Sequence, residues 1–183
     1  MFRLDRNGQV QREFRSPAPT PLGIVWTGSA FQLFTTDQRH IYEFVIEQDR
    51  LRVLRSFETP VTTLGGGISH DLAWDGESIY LVDRFSVFKI DRAGNSTSLF
   101  TTGKEIAALE WAGDVFWVAY RDFPNTAILE RRDRAGNPLS RHRLPVGEIV
   151  AFAWADGNLW ALGRETITAR ETDVYQLDVS RIR

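Results

Sequence analysis

Four times in this chain a tryptophan is followed by a glycine turn and then a second apolar strand: Trp26-Thr27-Gly28, Trp74-Asp75-Gly76, Trp111-Ala112-Gly113 and Trp154-Ala155-Asp156-Gly157. The tryptophans lie 48, 37 and 43 residues apart. That is the period of one four-stranded blade, a unit that buries its faces only by stacking on copies of itself. The repeat therefore predicts an all-β chain of four-stranded antiparallel blades, about four in number, arranged as a propeller. It constrains architecture far more than activity.

Alternation within each repeat supports the same unit. The first strands read Leu22–Trp26, His70–Trp74, Ala107–Trp111 and Val150–Trp154. Successive side chains point to opposite faces of a strand. One face thus carries Ile24/Trp26, Leu72/Trp74, Leu109/Trp111 and Phe152/Trp154, and the other mostly small residues, Ala73, Ala108, Ala151 and Ala153. Both faces are expected to be buried, with the indoles of one sheet lying on the alanines of the next. Second strands follow at Phe31–Phe34, Ile79–Val82, Val115–Ala119 and Leu159–Leu162. Third strands share a pattern of aromatic, polar, apolar and Asp in Phe2–Asp5, Phe88–Asp91 and Tyr175–Asp178, and Tyr42–Val45 keeps it without the Asp. Tight turns begin at Asp5, Asp91 and Asp133 and contain Gly8, Gly94 and Gly136. There the Asp side chain bonds backbone and Gly supplies the positive φ, so these aspartates are turn formers rather than calcium ligands. Fourth strands such as Val10–Phe14 and Leu51–Phe57 complete the units.

By this count the chain opens halfway through a blade, with a hairpin over 2–14, and closes on a third strand over 173–179. Residues 15–21, with three prolines, form an extended connector. The expected organisation is a single propeller domain over 1–183: a hairpin at 1–14 and blade repeats at 22–57, 69–100, 106–144 and 149–179. The N-terminal hairpin is expected to complete the C-terminal blade, which removes open strand edges. It does so either within one chain or in a partner chain, where two chains exchanging hairpins make a homo-oligomeric ring of about eight blades. A segment of a longer propeller is the remaining alternative.

Composition narrows the function classes. A hydrophobic fraction of 43% with six Trp and twelve Phe is that of a packed domain. The formal charge of −2 lacks the basic excess of nucleic-acid binders, so no nucleic-acid partner is expected. No stretch approaches membrane-spanning length and the first residues have no apolar signal core, so neither a membrane partner nor export is expected. The absence of cysteine excludes disulfides and thiolate metal sites and favours the cytoplasm. Of 22 basic residues all but Lys89 and Lys104 are arginine, a bias that names no partner by itself.

The run from Ser69-His70-Asp71-Leu72-Ala73-Trp74-Asp75-Gly76 through Ile79-Tyr80-Leu81-Val82-Asp83-Arg84, continuing at Phe88-Lys89-Ile90-Asp91-Arg92-Ala93-Gly94, resembles blades of the bacterial β-propeller superfamily. That group includes NHL-repeat, YWTD-type, gluconolactonase-like and glutamine cyclotransferase-like proteins. The resemblance extends in weakened copies over nearly the whole chain and implies the fold. It carries over no activity residue by residue. Gluconolactonase-like enzymes have a metal-binding Glu ahead of the first-strand motif, where this chain has His70 and Asp71. The Phe-Thr-Gln-Gly-Leu signature of the cyclotransferase-like enzymes is absent.

Antiparallel blades alternate their connections between two rims. The glycine turns and the Asp-started turns share one rim; second-to-third loops and between-blade connectors share the other, where lengths vary, and that rim is the expected binding face. Three second strands end there in Arg84, Arg121 and Arg164, with Thr36 at the first repeat's matching position and Arg39 nearby. Together with Phe123 in a neighbouring loop, these residues suit an acidic or carboxylate-bearing partner surface, unless each Arg pairs with a nearby acid such as Asp83, Asp122 or Glu165. Near the expected axis, His70 and Asp71 lie with Glu105, Glu110 and Glu148, a nitrogen–oxygen set that either lines a salt-bridged channel or holds a divalent metal. Glu110 falls on the small-residue face and demands a partner there. Gly65-Gly66-Gly67 lacks a phosphate-loop ending and reads as a between-blade connector. The leading expectation is a non-catalytic propeller without cofactor that binds a protein or peptide across the variable rim. The alternatives are a metal-dependent hydrolase or lactonase-like enzyme using His70, Asp71, Glu110 and Glu148, and a structural half-ring that pairs with a second copy.

Overall fold

Strands form where the alternation places them, and no α-helix occurs among the described residues. The computed structural model describes residues 1–5, 7–28, 32–36, 39–59, 71–122, 126–166 and 171–179, at 32–36 and 121–122 by backbone alone. The chain forms two compact units. In the first, Met1–Leu64, β1 (Phe2–Leu4) and β2 (Val10–Glu13) make a hairpin. A meandering antiparallel sheet of β3 (Gly23–Trp26), β4 (Gln32–Thr36), β5 (His40–Glu47) and β6 (Arg50–Glu58) follows in the same unit. In the second, Gly65–Arg183, three sheets succeed one another. They are β7 (Leu72–Trp74), β8 (Ile79–Asp83), β9 (Ser86–Ile90) and β10 (Ser96–Thr101); β11 (Ile106–Ala112), β12 (Val115–Asp122), β13 (Thr126–Arg132) and β14 (Pro138–Leu144); and β15 (Glu148–Ala155), β16 (Asn158–Arg164) and β17 (Asp173–Leu177).

One turn is built three times. In each, the Asp N–H and the Gly N–H close the loop: Asp5 N to Gln9 O and Gly8 N to Asp5 O, Asp91 N to Asn95 O and Gly94 N to Asp91 O, Asp133 N to Asn137 O and Gly136 N to Asp133 O. The Asp carboxylate then accepts further backbone N–H groups, from Asn7 and Gln9 at Asp5, from Ala93 and Asn95 at Asp91, and from Asn137 at Asp133, at 2.8–2.9 Å. These bonds favour the ionised carboxylate, so Asp91 and Asp133 sit below the usual carboxylate range, chiefly through the Asn95 and Asn137 side chains. Each of these turns joins strands whose register slips by one bulge: Arg3/Leu4, Ser98/Phe100 and Arg131/Arg132. The β1–β2 hairpin thus carries the turn and bulge of a third-and-fourth strand pair, as the sequence pattern implies.

Sheets in the second unit stack mostly large on large at the first junction and large on small at the second. Between the first and second of them, Ala73, Tyr80, Val82 and Val87 meet Leu109, Phe116, Val118, Tyr120 and Ile128. Phe116 is fully buried, with edge-on rings around it: Tyr80 at 4.7 Å, Trp111 at 4.6 Å and Phe100 at 5.8 Å. Between the second and third, Phe152 and Tyr175 pack on Ala107, Ala108, Ala119 and Ala127. The indoles depart from the expectation. Trp111 stacks on Tyr80 (6.1 Å, 20°) rather than on an alanine, and Trp26 and Trp154 are 60% and 36% exposed. The cause lies in what covers the ring. Trp74 and Trp111 are capped by arginines of their own sheets' third-to-fourth turns, Arg92 at 5.8 Å and Arg134 at 5.2 Å. Among the described residues no such arginine reaches Trp154, and Ile24 beside Trp26 is itself 51% exposed, with no full sheet ahead of it in its unit.

Candidate functional site

The expected rim takes shape around β8–β9. Asp83 pairs with Ser86, which leaves Arg84 and Phe85 as a two-residue hairpin loop. This connection is shorter than the loop expected on that rim; the corresponding link between β16 and β17 spans Glu165–Thr172. Arg84 adopts φ 47°, the left-handed region that a β-carbon disfavours. Its guanidinium lies 4.8 Å over the Phe85 ring, and its Nε is 3.9 Å from Glu105. The loop is anchored to the between-sheet connector: Ile106 N donates to Arg84 O at 2.7 Å, and Thr102 N donates to Phe85 O at 2.7 Å. Arg164, at the end of β16, faces Glu148 across the strand pair at 3.7 Å. Both arginines therefore meet acids, but Glu105 and Glu148 rather than their sequence neighbours. Arg121 lies in β12 opposite Ala127, with only its backbone described, and the Arg39 carbonyl accepts the Thr59 N–H at 2.8 Å. Phe123 and His70 lie outside the described residues, as does Gly65–Gly67. Phe85, which the sequence reading passed over, is the aromatic that the described rim presents, 37% exposed.

The axial carboxylates are tied to backbone. Asp71 accepts Leu72 N with Oδ1 and Leu109 N with Oδ2, both at 2.9 Å. Glu110 accepts Trp111 N at 3.0 Å with one oxygen and Trp154 N at 3.2 Å with the other. One device is thus used twice: a carboxylate on one sheet's first strand, or just before it, bonds an N–H of the next sheet's first strand, joining β7 to β11 and β11 to β15. This supplies the partner that Glu110 requires on the small-residue face. Asp71 retains some accessible surface as a residue, yet its carboxylate is packed round by protein, and that packing governs its proton. Burial pushes Asp71 up to about 7 against the opposing N–H bonds. Burial likewise raises Glu110 to about 7, with the nearby charge of Asp71 adding to it. Glu148 is 5% exposed and faces Arg164.

The described members of this donor set are already engaged. All four oxygens of Asp71 and Glu110 already accept backbone N–H groups, and Glu148 lies against a guanidinium. Among the described residues no three His, Asp or Glu side chains gather closely enough to hold an ion. No helix of the described residues is long and apolar enough to cross a membrane.

A second polar cluster, unmarked in the sequence, lies on β12 and β13. Tyr120 Oη donates to Glu130 Oε1 at 2.9 Å; Arg132 Nε is 3.1 Å from Tyr120 Oη and 2.6 Å from Glu130, and an Arg132 Nη donates to Gly136 O. Its only sequence signal is a Glu and an Arg two residues apart at the end of a strand that begins Thr-Ala-Ile-Leu, Thr126–Arg132.

No family model matches the sequence, and no curated protein matches it. Solved structures do. A chain of the nidogen–laminin complex is similar with a TM-score of 0.64 at 13% identity, over 88% of this chain and 65% of that one. The WD40 repeats of RRP9 are similar with a TM-score of 0.58 at 12% identity, over 85% and 50%. The calcium-binding protein regucalcin from Agrobacterium tumefaciens is similar with a TM-score of 0.53 at 14% identity, over 77% and 52%. This chain spans half to two thirds of each of those chains, and at such identities the likeness concerns fold alone. Together with three four-stranded sheets and one of three strands, it identifies the chain as an all-β propeller with about four blades.

Proposed function

We propose that this propeller is a non-catalytic scaffold that binds a protein or peptide partner across the rim carrying Arg84, Phe85 and Arg164. The observation that carries the reading is the Arg84–Phe85 loop. A non-glycine residue is held at φ 47° at the tip of a two-residue hairpin, its guanidinium over a phenyl ring that stays partly in solvent. Strain of that kind costs on the order of 1 kcal/mol and persists where the surroundings or a function require it. Arginine is also enriched at interface hot spots, and phenylalanine among interface residues generally. Of the acids that a hydrolase would need, Asp71 and Glu110 serve as ties between sheets and Glu148 faces Arg164, so the metal-dependent alternative draws no support from the described residues.

The test is binding by native-condition capture, quantified against the melting temperature. Arg84→Glu with Phe85→Ala, and separately Arg121→Glu, are expected to lose the captured partner while the melting temperature is unchanged. The same partner captured at full yield by all three proteins overturns the rim reading.

A further inference from the structure

Two adjoining cavities of about 410 and 270 Å³ open beside the middle sheet of the second unit. Lys104 and Arg141 line both; Arg143 and Ile128 line the larger, and Tyr120, Glu130 and Arg132 the smaller. Strand register builds this wall. Arg141 lies opposite Glu130 and Arg143 opposite Ile128, which in turn is opposite Tyr120. All five therefore share the sheet face that packs on the preceding sheet. Among the described residues Glu130 is the one acid lining either cavity, and Arg132 and Tyr120 already hold it. Arg141 and Arg143 are exposed, and among the described residues neither meets a carboxylate. Two residues apart on one strand, they stand about 7 Å from each other. Their strand, β14, is the last of its sheet and, among the described residues, pairs on one side only, with β13.

We infer that this cleft is a docking site for an acidic, extended peptide segment, which pairs with the free edge of β14 and sets alternate carboxylates against Arg141 and Arg143. Charge complementarity selects that occupant. Arg141 and Arg143 line cavities whose one acid among the described residues, Glu130, is already paired, and guanidinium groups take carboxylates in two-point contacts. Spacing selects its conformation. Only a strand presents side chains at the two-residue repeat of Arg141 and Arg143 while its backbone satisfies an edge. The surface is distinct from the Arg84–Phe85 rim and stands or falls apart from it.

A fluorescein-labelled peptide with Glu at every second position, and its Gln counterpart, test this by anisotropy. The intact protein is expected to bind the Glu peptide saturably and the Gln peptide not at all. Arg141→Glu with Arg143→Glu is expected to weaken binding about tenfold or more, and the double Gln variant to a lesser degree. Both positions are exposed, so circular dichroism stays as in the parent, and the double Gln variant, which sets no like charge opposite Glu130, also melts as the parent does. Arg84→Glu is expected to leave the affinity unaltered. The inference is overturned by absent saturation, by equal binding of the Gln peptide, by an affinity indifferent to charge reversal at Arg141 and Arg143, or by loss of binding with Arg84→Glu. Inorganic phosphate binding where the peptide does not also overturns it, since that marks a simple anion site.

Discussion

A carboxylate as enclosed as Glu130 is tolerable only when its charge is matched and its oxygens are bonded. Tyr120 and Arg132 do both, and the same packing, burial first, raises the Tyr120 hydroxyl above its ordinary value. Removing one partner leaves the other charge stranded. Arg132→Ala is therefore expected to cost about 3–5 kcal/mol in urea unfolding, since it also strips the Gly136 carbonyl and the face of Phe100 at 4.9 Å. Arg134→Ala is the contrast. It bonds Asp75 at 2.9 Å and covers Trp111, but its own side chain is 62% exposed and Asp75, though enclosed, keeps the bonds of Glu77 N, Ser78 N and Tyr80 Oη, so the loss is limited to about 1 kcal/mol. Similar losses at both positions contradict this ranking. Neither contact was legible in the sequence. The Asp-Arg-Ala-Gly turns were, but that their arginines cap first-strand tryptophans depends on where the sheet's register sets each turn, which no local pattern records.

At the scale of the element, the repeated turn makes its glycines unequal. Gly8 and Gly136 both have positive φ, 80° and 87°, so alanine at either is strained. A β-carbon at Gly8 meets nothing within 4 Å, whereas at Gly136 it falls 2.3 Å from the Phe100 ring. Gly8→Ala is expected to cost about 1 kcal/mol, the conformational term alone. Gly136→Ala is expected to cost clearly more, because Phe100 is pinned between Phe116 and Arg132 and cannot yield freely. Equal effects on thermal unfolding refute the clash. The turns themselves were readable because Asp and Gly act within five residues. The exposure of Trp26 and Trp154 was not, because burial of a strand's face depends on which sheet comes to lie against it.

Across the second unit, Asp71 and Glu110 join three successive sheets and give the molecule its pH dependence. Their folded values, near 7, lie above the unfolded ones, so the protonated form is the one that folding favours. Their stabilising contribution is complete below about pH 4 and is lost as pH rises through 7. Asp75 works in the opposite sense: burial alone would raise it, but bonds from Ser78, Tyr80 and Glu77 and the charge of Arg134 hold it low, so its contribution is lost on acidification. The expected result is a melting temperature higher near pH 5.5 than near pH 8, a difference reduced in Asp71→Asn with Glu110→Gln. A profile that keeps rising to pH 8 contradicts this. The sequence by itself determined the blade unit, its strand order and its hairpin turns, since alternation and turn chemistry act between neighbours along the chain. Only the tertiary structure decided that Asp71 bonds Leu109, that Glu110 bonds Trp154, and that Arg84 and Arg164 face Glu105 and Glu148. Those partners are fixed by the depth at which one sheet settles on the next and by cross-strand register, quantities set by side-chain volumes summed over whole faces rather than by any short run of residues.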